Sequence, residues 1–318
     1  MNTLTPWMAA IAMVGTLSLT ACGGGGDSGP QTGSLSIAVT DTPLDTNVTE
    51  VNIRFWGLRL KPKGGPAFDI DFGAGNEKTI DLLQLQGTNS ADLIVDELVP
   101  AGEYNWVWLL VHAEKDVWDS TVQIDGSALF PLYVPSGSQT GLKLVSGFVV
   151  PVGGDVDFVI DWNLANAVHA PSGQDPNYFI RPALRITNRA EVGTIMGTVD
   201  STRIDENDPD NCEGGNRVYL FAKPDAADTL EDDMDELVDD GRADVLTTAM
   251  VTYDVNDDAW EFVIGFVSPG NYTVAFTCSS SKDDSMLDDY PDNAVSNFDF
   301  ASRADVPVET GTTTDVAL

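Results

Sequence analysis

Histidine is nearly missing from this 318-residue chain, which holds only His112 and His169. Hydrolysis by a nucleophile, a base and an orienting group therefore has little to draw on. No Gly-x-Ser-x-Gly elbow, His-Glu-x-x-His helix or phosphate-binding loop occurs. His112 falls in a strand beside aromatics and His169 in a loop after Trp162, and both read as structural. Positive charge is scarce too: 16 Lys and Arg stand against 50 Asp and Glu, a net −34. That excludes nucleic acid as a partner and unaided binding to anionic membrane surfaces. Some pair of carboxylates at glycosidase spacing is unavoidable among 50 acids, and none is singled out, so a hydrolase is only a third reading. The uncharged apolar run Pro6–Leu19 falls short of the roughly 20 residues a membrane-spanning helix needs.

That short run suits the apolar region of a secretory signal. It closes on Leu19-Thr20-Ala21-Cys22 and opens onto Gly23-Gly24-Gly25-Gly26-Asp27-Ser28-Gly29-Pro30. The arrangement resembles the lipobox of bacterial lipoproteins. The resemblance implies removal of residues 1–21, acylation of Cys22 at its thiol and new amine, and a lipidated Gly-rich tether over 22–33. Several acyl chains, at about 0.8 kcal/mol per buried methylene, would hold the protein on a membrane. One departure is that no Lys or Arg precedes Arg54, so the start carries only its terminal amine. The competing reading is an ordinary secretory signal with a chance cysteine. Gly23 is not the Asp that retains lipoproteins in the inner membrane of many Gram-negative bacteria, so analogy favours the outer membrane.

Hydrophobic residues make up 42% and aromatics 8%, enough for packed cores rather than wholesale disorder. Charge divides the remainder. Residues 33–190 carry ten basic and nineteen acidic side chains, net −9, and residues 191–318 carry six and thirty, net −24. The expected domains are 34–190 and 191–318. The acidic half reads either as a strongly solvated surface or as a source of clustered carboxylate oxygens for divalent cations. With Cys22 assigned to lipid, Cys212 and Cys278 remain as an even pair in an exported domain, where disulfides persist. Such a bridge would contribute about 4 kcal/mol on the chain-entropy model. Two buried free thiols are the alternative, and zinc lacks the ligands.

Period-two alternation dominates the chain. Leu35, Ile37 and Val39 alternate with polar neighbours. Val51, Ile53 and Phe55 do the same until Gly57 shifts the phase to Leu58 and Leu60, as a bulge would. Further strands are expected around residues 68–72, 79–85, 104–113, 120–124, 129–134, 142–150, 156–162 and 178–187. In the second half they are expected at 193–199, 217–222, 247–253, 260–266, 271–277 and 304–307. Short strands broken by Gly and Pro turns predict an all-β fold of two tandem β-sandwiches. Helical spacing is confined to a turn or two near Ala91–Leu98 and to Asp225–Asp240. In the latter, Leu230, Met234, Leu237 and Val238 form a narrow stripe of an inserted acidic helix. Pro100-Ala101-Gly102-Glu103-Tyr104 and Ser268-Pro269-Gly270-Asn271-Tyr272 are echoes, each a Pro/Gly turn delivering a tyrosine into a strand.

Gly33–Pro43, Val51–Leu60, Asp81–Gly87, Leu98–Tyr104, Pro135–Val145 and Arg181–Arg185 together resemble a domain of exported bacterial lipoproteins, domain-of-unknown-function family 4382. The resemblance covers roughly 33–188 and implies a β-rich envelope domain with no transferable activity. More loosely, Gly193–Val199, Val218–Phe221 and Phe262–Phe276 resemble a carboxypeptidase-regulatory-like, prealbumin-type sandwich. Such modules serve as spacers or interaction units.

Two candidate sites follow. Asp205, Asn207, Asp208 and Asp210 concentrate oxygen ligands suited to calcium, with further clusters at Asp254–Asp258 and Asp283–Asp292. None fits the EF-hand spacing, and solvated turns are the alternative. Tyr104, Trp106 and Trp108 are placed on one strand face with Leu110 and His112, opposite Val107, Leu109 and Val111. That stripe is either covered by a neighbour or exposed as a platform for sugar or protein. The expected function is a non-enzymatic binding or structural module, lipid-anchored at the cell envelope, with an unidentified protein or glycan partner. A calcium-dependent adhesin or glycan binder is the alternative.

Overall fold

In the computed structural model, residues 31–42, 48–126, 128–135, 141–144, 146–171, 175–181, 184–204, 215–223, 230, 243, 245–282 and 298–318 are described. Cys22, Cys212, Asp205, Asn207, Asp208, Asp210, the expected helix apart from Leu230, and Asp283–Asp292 lie outside them. Among the described residues, helix is limited to single turns, and no helix is long and apolar enough to cross a membrane.

The first half supplies β1 (Thr32–Thr42), β2 (Val48–Pro62), β3 (Phe68–Asp71), β4 (Lys78–Asp81), β5 (Ala91–Pro100), β6 (Gly102–His112) and β7 (Thr121–Ile124). It continues with β8 (Ala128–Tyr133), β9 (Leu142–Leu144), β10 (Phe148–Val150), β11 (Asp155–Asn163), β12 (Val168–His169), β13 (Tyr178–Ile180) and β14 (Leu184–Asn188). One sheet has the order β14-β11-β1-β5, with β1 and β11 parallel. The other runs β10-β6-β2-β7-β8-β13-β12, with β3 and β4 also paired to β2 and β9 to β6.

The inward faces of these sheets share one core. Leu35, Ile37, Val39, Ile160 and Trp162 come from the first sheet, and Val51, Ile53, Phe55, Leu58, Leu60, Val107, Leu109 and Val111 from the second. Each such side chain contributes roughly 1.5–3 kcal/mol of burial. The phase shift in β2 is a bulge at Trp56: Phe55 faces Val111 while Gly57 faces Leu110. Glycine is required at 57 because a Cβ there would stand 2.5 Å from the Ile70 carbonyl oxygen.

The second half supplies β15 (Gly193–Val199), β16 (Arg217–Ala222), β17 (Val245–Met250), β18 (Thr252–Asp254), β19 (Ala259–Val267), β20 (Gly270–Thr277), β21 (Ser302–Val308) and β22 (Thr313–Ala317). Its sheets are β18-β19-β15-β22 and β17-β16-β20-β21. Ile195, Phe262 and Ile264 meet Val218, Leu220, Val274 and Phe276 between them. β16 is buried on both faces, since Tyr219 and Phe221 point the other way onto Val245, Phe298 and Phe300. The fold is therefore all-β, built as two sandwiches, and every described strand pairing lies within one half.

The halves touch. Between them the 3-10 turn Arg189–Glu191 presents Arg189, whose guanidinium lies 3.3 Å from Asp157, 3.5 Å from Asp92 and 5.8 Å from the Phe266 ring.

Three expectations are corrected. Residues 32 and 33, expected in the tether, belong to β1, which begins at Thr32. Gly33 packs so closely that a Cβ would lie 2.3 Å from the Pro151 carbonyl. The turn or two of helix near Ala91–Leu98 is strand β5, where Ile94 pairs with Ile37 and Leu98 with Ser34. A left-handed residue, Asp96 at φ 53°, and register shifts opposite Ile37 break the alternation there and imitate helical spacing. The expected strand over 79–85 stops at Asp81, whose carboxylate caps the 3-10 turn Leu82–Leu85.

Candidate functional site

The tryptophan pair sits on the outer face of the larger sheet of the first sandwich. Register sets a row across four strands: Asp69 of β3 opposes Arg59 of β2, Arg59 opposes Trp108 of β6, and Trp108 opposes Lys143 of β9. Arg59 donates twice to Asp69, at 2.5 and 2.7 Å. That pairing raises the Arg59 pKa and lowers that of Asp69, with hydrogen bonding the largest cause in both. The same guanidinium lies 5.8 Å from the Trp108 ring centre. Trp106 stacks on Trp108 at 4.5 Å and 19°, and the Lys143 ammonium is 5.7 Å from both rings. Cation–π contacts of this kind contribute about 0.5–1 kcal/mol at exposed sites. Both tryptophans are half-buried, so the row is neither core nor an open platform.

Tyr104 does not belong to this face. Lys61 pairs with Trp106 but Pro62 pairs with Tyr104, so Asn105 is an extra residue that turns Tyr104 inward. Tyr104 is 3% exposed, stacked on Phe148 at 4.9 Å, with its hydroxyl donating to the Pro100 carbonyl at 2.7 Å. Burial pushes its pKa up to about 12. Its counterpart Tyr272 makes the same bond to the Ser268 carbonyl, also at 2.7 Å and also four residues back. The echo in the sequence is thus a tyrosine corner used once in each sandwich.

A second cluster was not foreseen. At the end of β6, the His112 Nε2 lies 3.4 Å from Glu77 Oε1. Arg54 of β2 donates from Nε to Glu77 at 2.7 Å and from Nη1 to Asp119 at 2.7 Å. These bonds lower the Glu77 pKa, Arg54 first and His112 after it. His112, Glu114 and Asp119 each offer a ligand atom within 4.8 Å of the others. The Ser120 hydroxyl donates to the His112 carbonyl at 2.6 Å and accepts from Arg54 N at 3.1 Å, closing the intervening loop. The bulge residue Trp56 covers the imidazole at 6.2 Å between ring centres. The only signal in the sequence was a rare histidine with an acid two positions on.

His169 stacks on Phe179 at 4.9 Å, within strand β12 rather than a loop. Cys278 follows β20 and is buried in the second core. Of the acidic clusters, Asp254–Asp258 is described. Asp254 accepts from Asn256 N at 2.7 Å, and that bond leads the lowering of its pKa. Tyr253 donates to Asp258, which sits at φ 53°. These carboxylates build the turn between β18 and β19.

Residues 32–182 match the family model described as Domain of unknown function (DUF4382). Curated proteins give no match to the chain. Among solved structures, the TIE protein of Bacillus anthracis is similar at 9% identity and TM-score 0.19, over 90% of this chain and 33% of that one. The chain spans only 26% of a leucine-rich repeat protein from Bacteroides thetaiotaomicron. GBS52, the minor pilin of Streptococcus agalactiae, aligns at 9% identity and TM-score 0.19, over 90% and 94% of the two chains. A putative cell adhesion protein from Bacteroides fragilis aligns at 10% and 0.20, over 89% and 91%.

Proposed function

We propose that the chain is an exported protein anchored through acylated Cys22 in the outer membrane, where it acts as a non-enzymatic binding or structural module. The observation that carries the binding role is the Trp106–Trp108 pair, half-exposed on a sheet face and fixed between Arg59 and Lys143. Indole faces flanked by cations suit a protein or glycan partner. Two further points support the anchor: the sequence around Cys22, and the docking of the chain from Gln31 onward. There Ala101 N donates to Gln31 O at 2.8 Å and Gly153 N to Thr32 O at 2.8 Å. The second sandwich serves in this reading as a carboxypeptidase-regulatory-like spacer, with Cys278 bridged to Cys212 in an oxidising compartment.

The test separates anchor from binding. Cys22→Ala should release the chain from the membrane fraction. The released chain should then bind isolated cell envelopes, and Trp106→Ala/Trp108→Ala should abolish that binding while leaving the circular dichroism spectrum unchanged. Retention of Cys22→Ala in the membrane overturns the anchor. Undiminished binding by a folded double variant overturns the tryptophan surface.

A further inference from the structure

We propose that His112, Glu114 and Asp119 bind one divalent transition-metal ion of the zinc or manganese class. The site is independent of both the anchor and the tryptophan pair. Its three ligand atoms already lie within 4.8 Å of one another. Ligands at the usual zinc distances of roughly 2.0–2.2 Å stand about 3.4 Å apart in a tetrahedral shell, so side-chain rotation would have to draw these atoms together by up to about 1.4 Å. An imidazole nitrogen with two carboxylates selects a transition metal over calcium or magnesium, which prefer oxygen alone.

Glu77 provides what a metal-binding histidine ordinarily has behind it, a carboxylate for its other ring nitrogen. It stands 3.4 Å from Nε2, which would leave Nδ1 for the ion. Arg54 holds both Glu77 and Asp119 from the neighbouring strand, and Ser120 fixes the backbone at both ends of the loop.

Charge points the same way. Three carboxylates, Glu77, Glu114 and Asp119, stand with one guanidinium, that of Arg54, which pairs with Glu77 and Asp119. Glu114 has no ion pair among the described residues, so Arg54 does not already satisfy the cluster. His112 and Asp119 keep about a third of their side chains accessible, at 33% and 32%, so an ion can enter. The other close group, Asp254, Asp257 and Glu261, has no nitrogen ligand and spends Asp254 on its own turn.

The test is calorimetric titration of the chelator-treated full chain with zinc chloride, manganese chloride or calcium chloride. The native chain should show a saturable zinc event near one ion per chain that calcium does not reproduce. Glu114→Gln, on the exposed loop, should remove that event without changing the thermal melt of the metal-free protein, and His112→Ala should remove it too. Glu77→Gln, a positioning substitution, should weaken it on the order of tenfold. Identical zinc titrations for the native chain and both ligand variants would overturn the proposal. So would no saturable event at all, or a calcium event at these residues stronger than that of zinc.

Discussion

The two sandwiches share an architecture and a tyrosine corner but handle charge in opposite ways. In the first, opposite charges meet across strands or loops: Arg59 with Asp69, Arg54 with Glu77 and Asp119, Arg185 with Asp161, and Lys115 with Asp175. The second holds thirty acids and six bases, and among its described residues Lys223 pairs with Asp305. The lesson is that one fold tolerates both regimes because its stability lies in the inter-sheet core, while surface pairs contribute at most about 1 kcal/mol each. Charge then becomes free to set role. The first sandwich can place cations against indoles and a histidine among carboxylates. The second carries its acids in a net excess of 24 negative charges.

The largest expected effect breaks one core at a time. Trp162 is fully buried in the first sandwich and Phe276 in the second. Replacing either by Ala should cost about 3–5 kcal/mol. In urea melts followed by site-specific fluorescence, Trp162→Ala should lower the transition of the first half and Phe276→Ala that of the second. Equal loss in both halves from either variant would show one cooperative unit, coupled through Arg189, in place of two.

The shared corner gives a smaller and matched effect. Tyr104→Phe and Tyr272→Phe each remove one hydroxyl-to-carbonyl bond and should each cost about 1 kcal/mol in chemical denaturation. A loss at Tyr104 with none at Tyr272 would show that the second corner is only a geometric echo.

The comparison also shows where reading the sequence works. Alternation identified β1, β2, β6, β15 and β19 because each has one face in a core, and the phase shift at Gly57 announced its bulge. It failed where register is set by a partner strand. The extra residue Asn105 separates Tyr104 from Trp106, and only pairing with Pro62 and Lys61 reveals it. Strand β5 was disguised by the left-handed Asp96, and β22 by its run Thr312-Thr313-Thr314-Asp315, which lacks apolar alternation and pairs in parallel with β15. The cluster around His112 was invisible for a related reason. Arg54, Glu77 and Asp119 come from separate segments, and only the sheet brings them to the end of β6.

The smallest effect concerns acid. Hydrogen bonds from Lys115, then from Asn177, hold the Asp175 carboxyl at about 2, below its unfolded value of roughly 3.9. A depressed folded pKa gives stability that is present above the unfolded value and lost as pH falls through about 2. The first sandwich should therefore weaken slightly on acidification across that window, and Asp175→Asn should flatten the dependence in melts recorded against pH. An unchanged slope in the variant would assign the acid sensitivity to other carboxylates.

The proposed membrane anchor rests on Cys22. The most direct measurement is mass spectrometry of the amino-terminal peptide of the chain extracted from membranes. The peptide should begin at Cys22 and carry acyl groups on its thiol and amine. A peptide containing Cys22 as a free thiol, or retaining residues 1–21, would contradict the anchor.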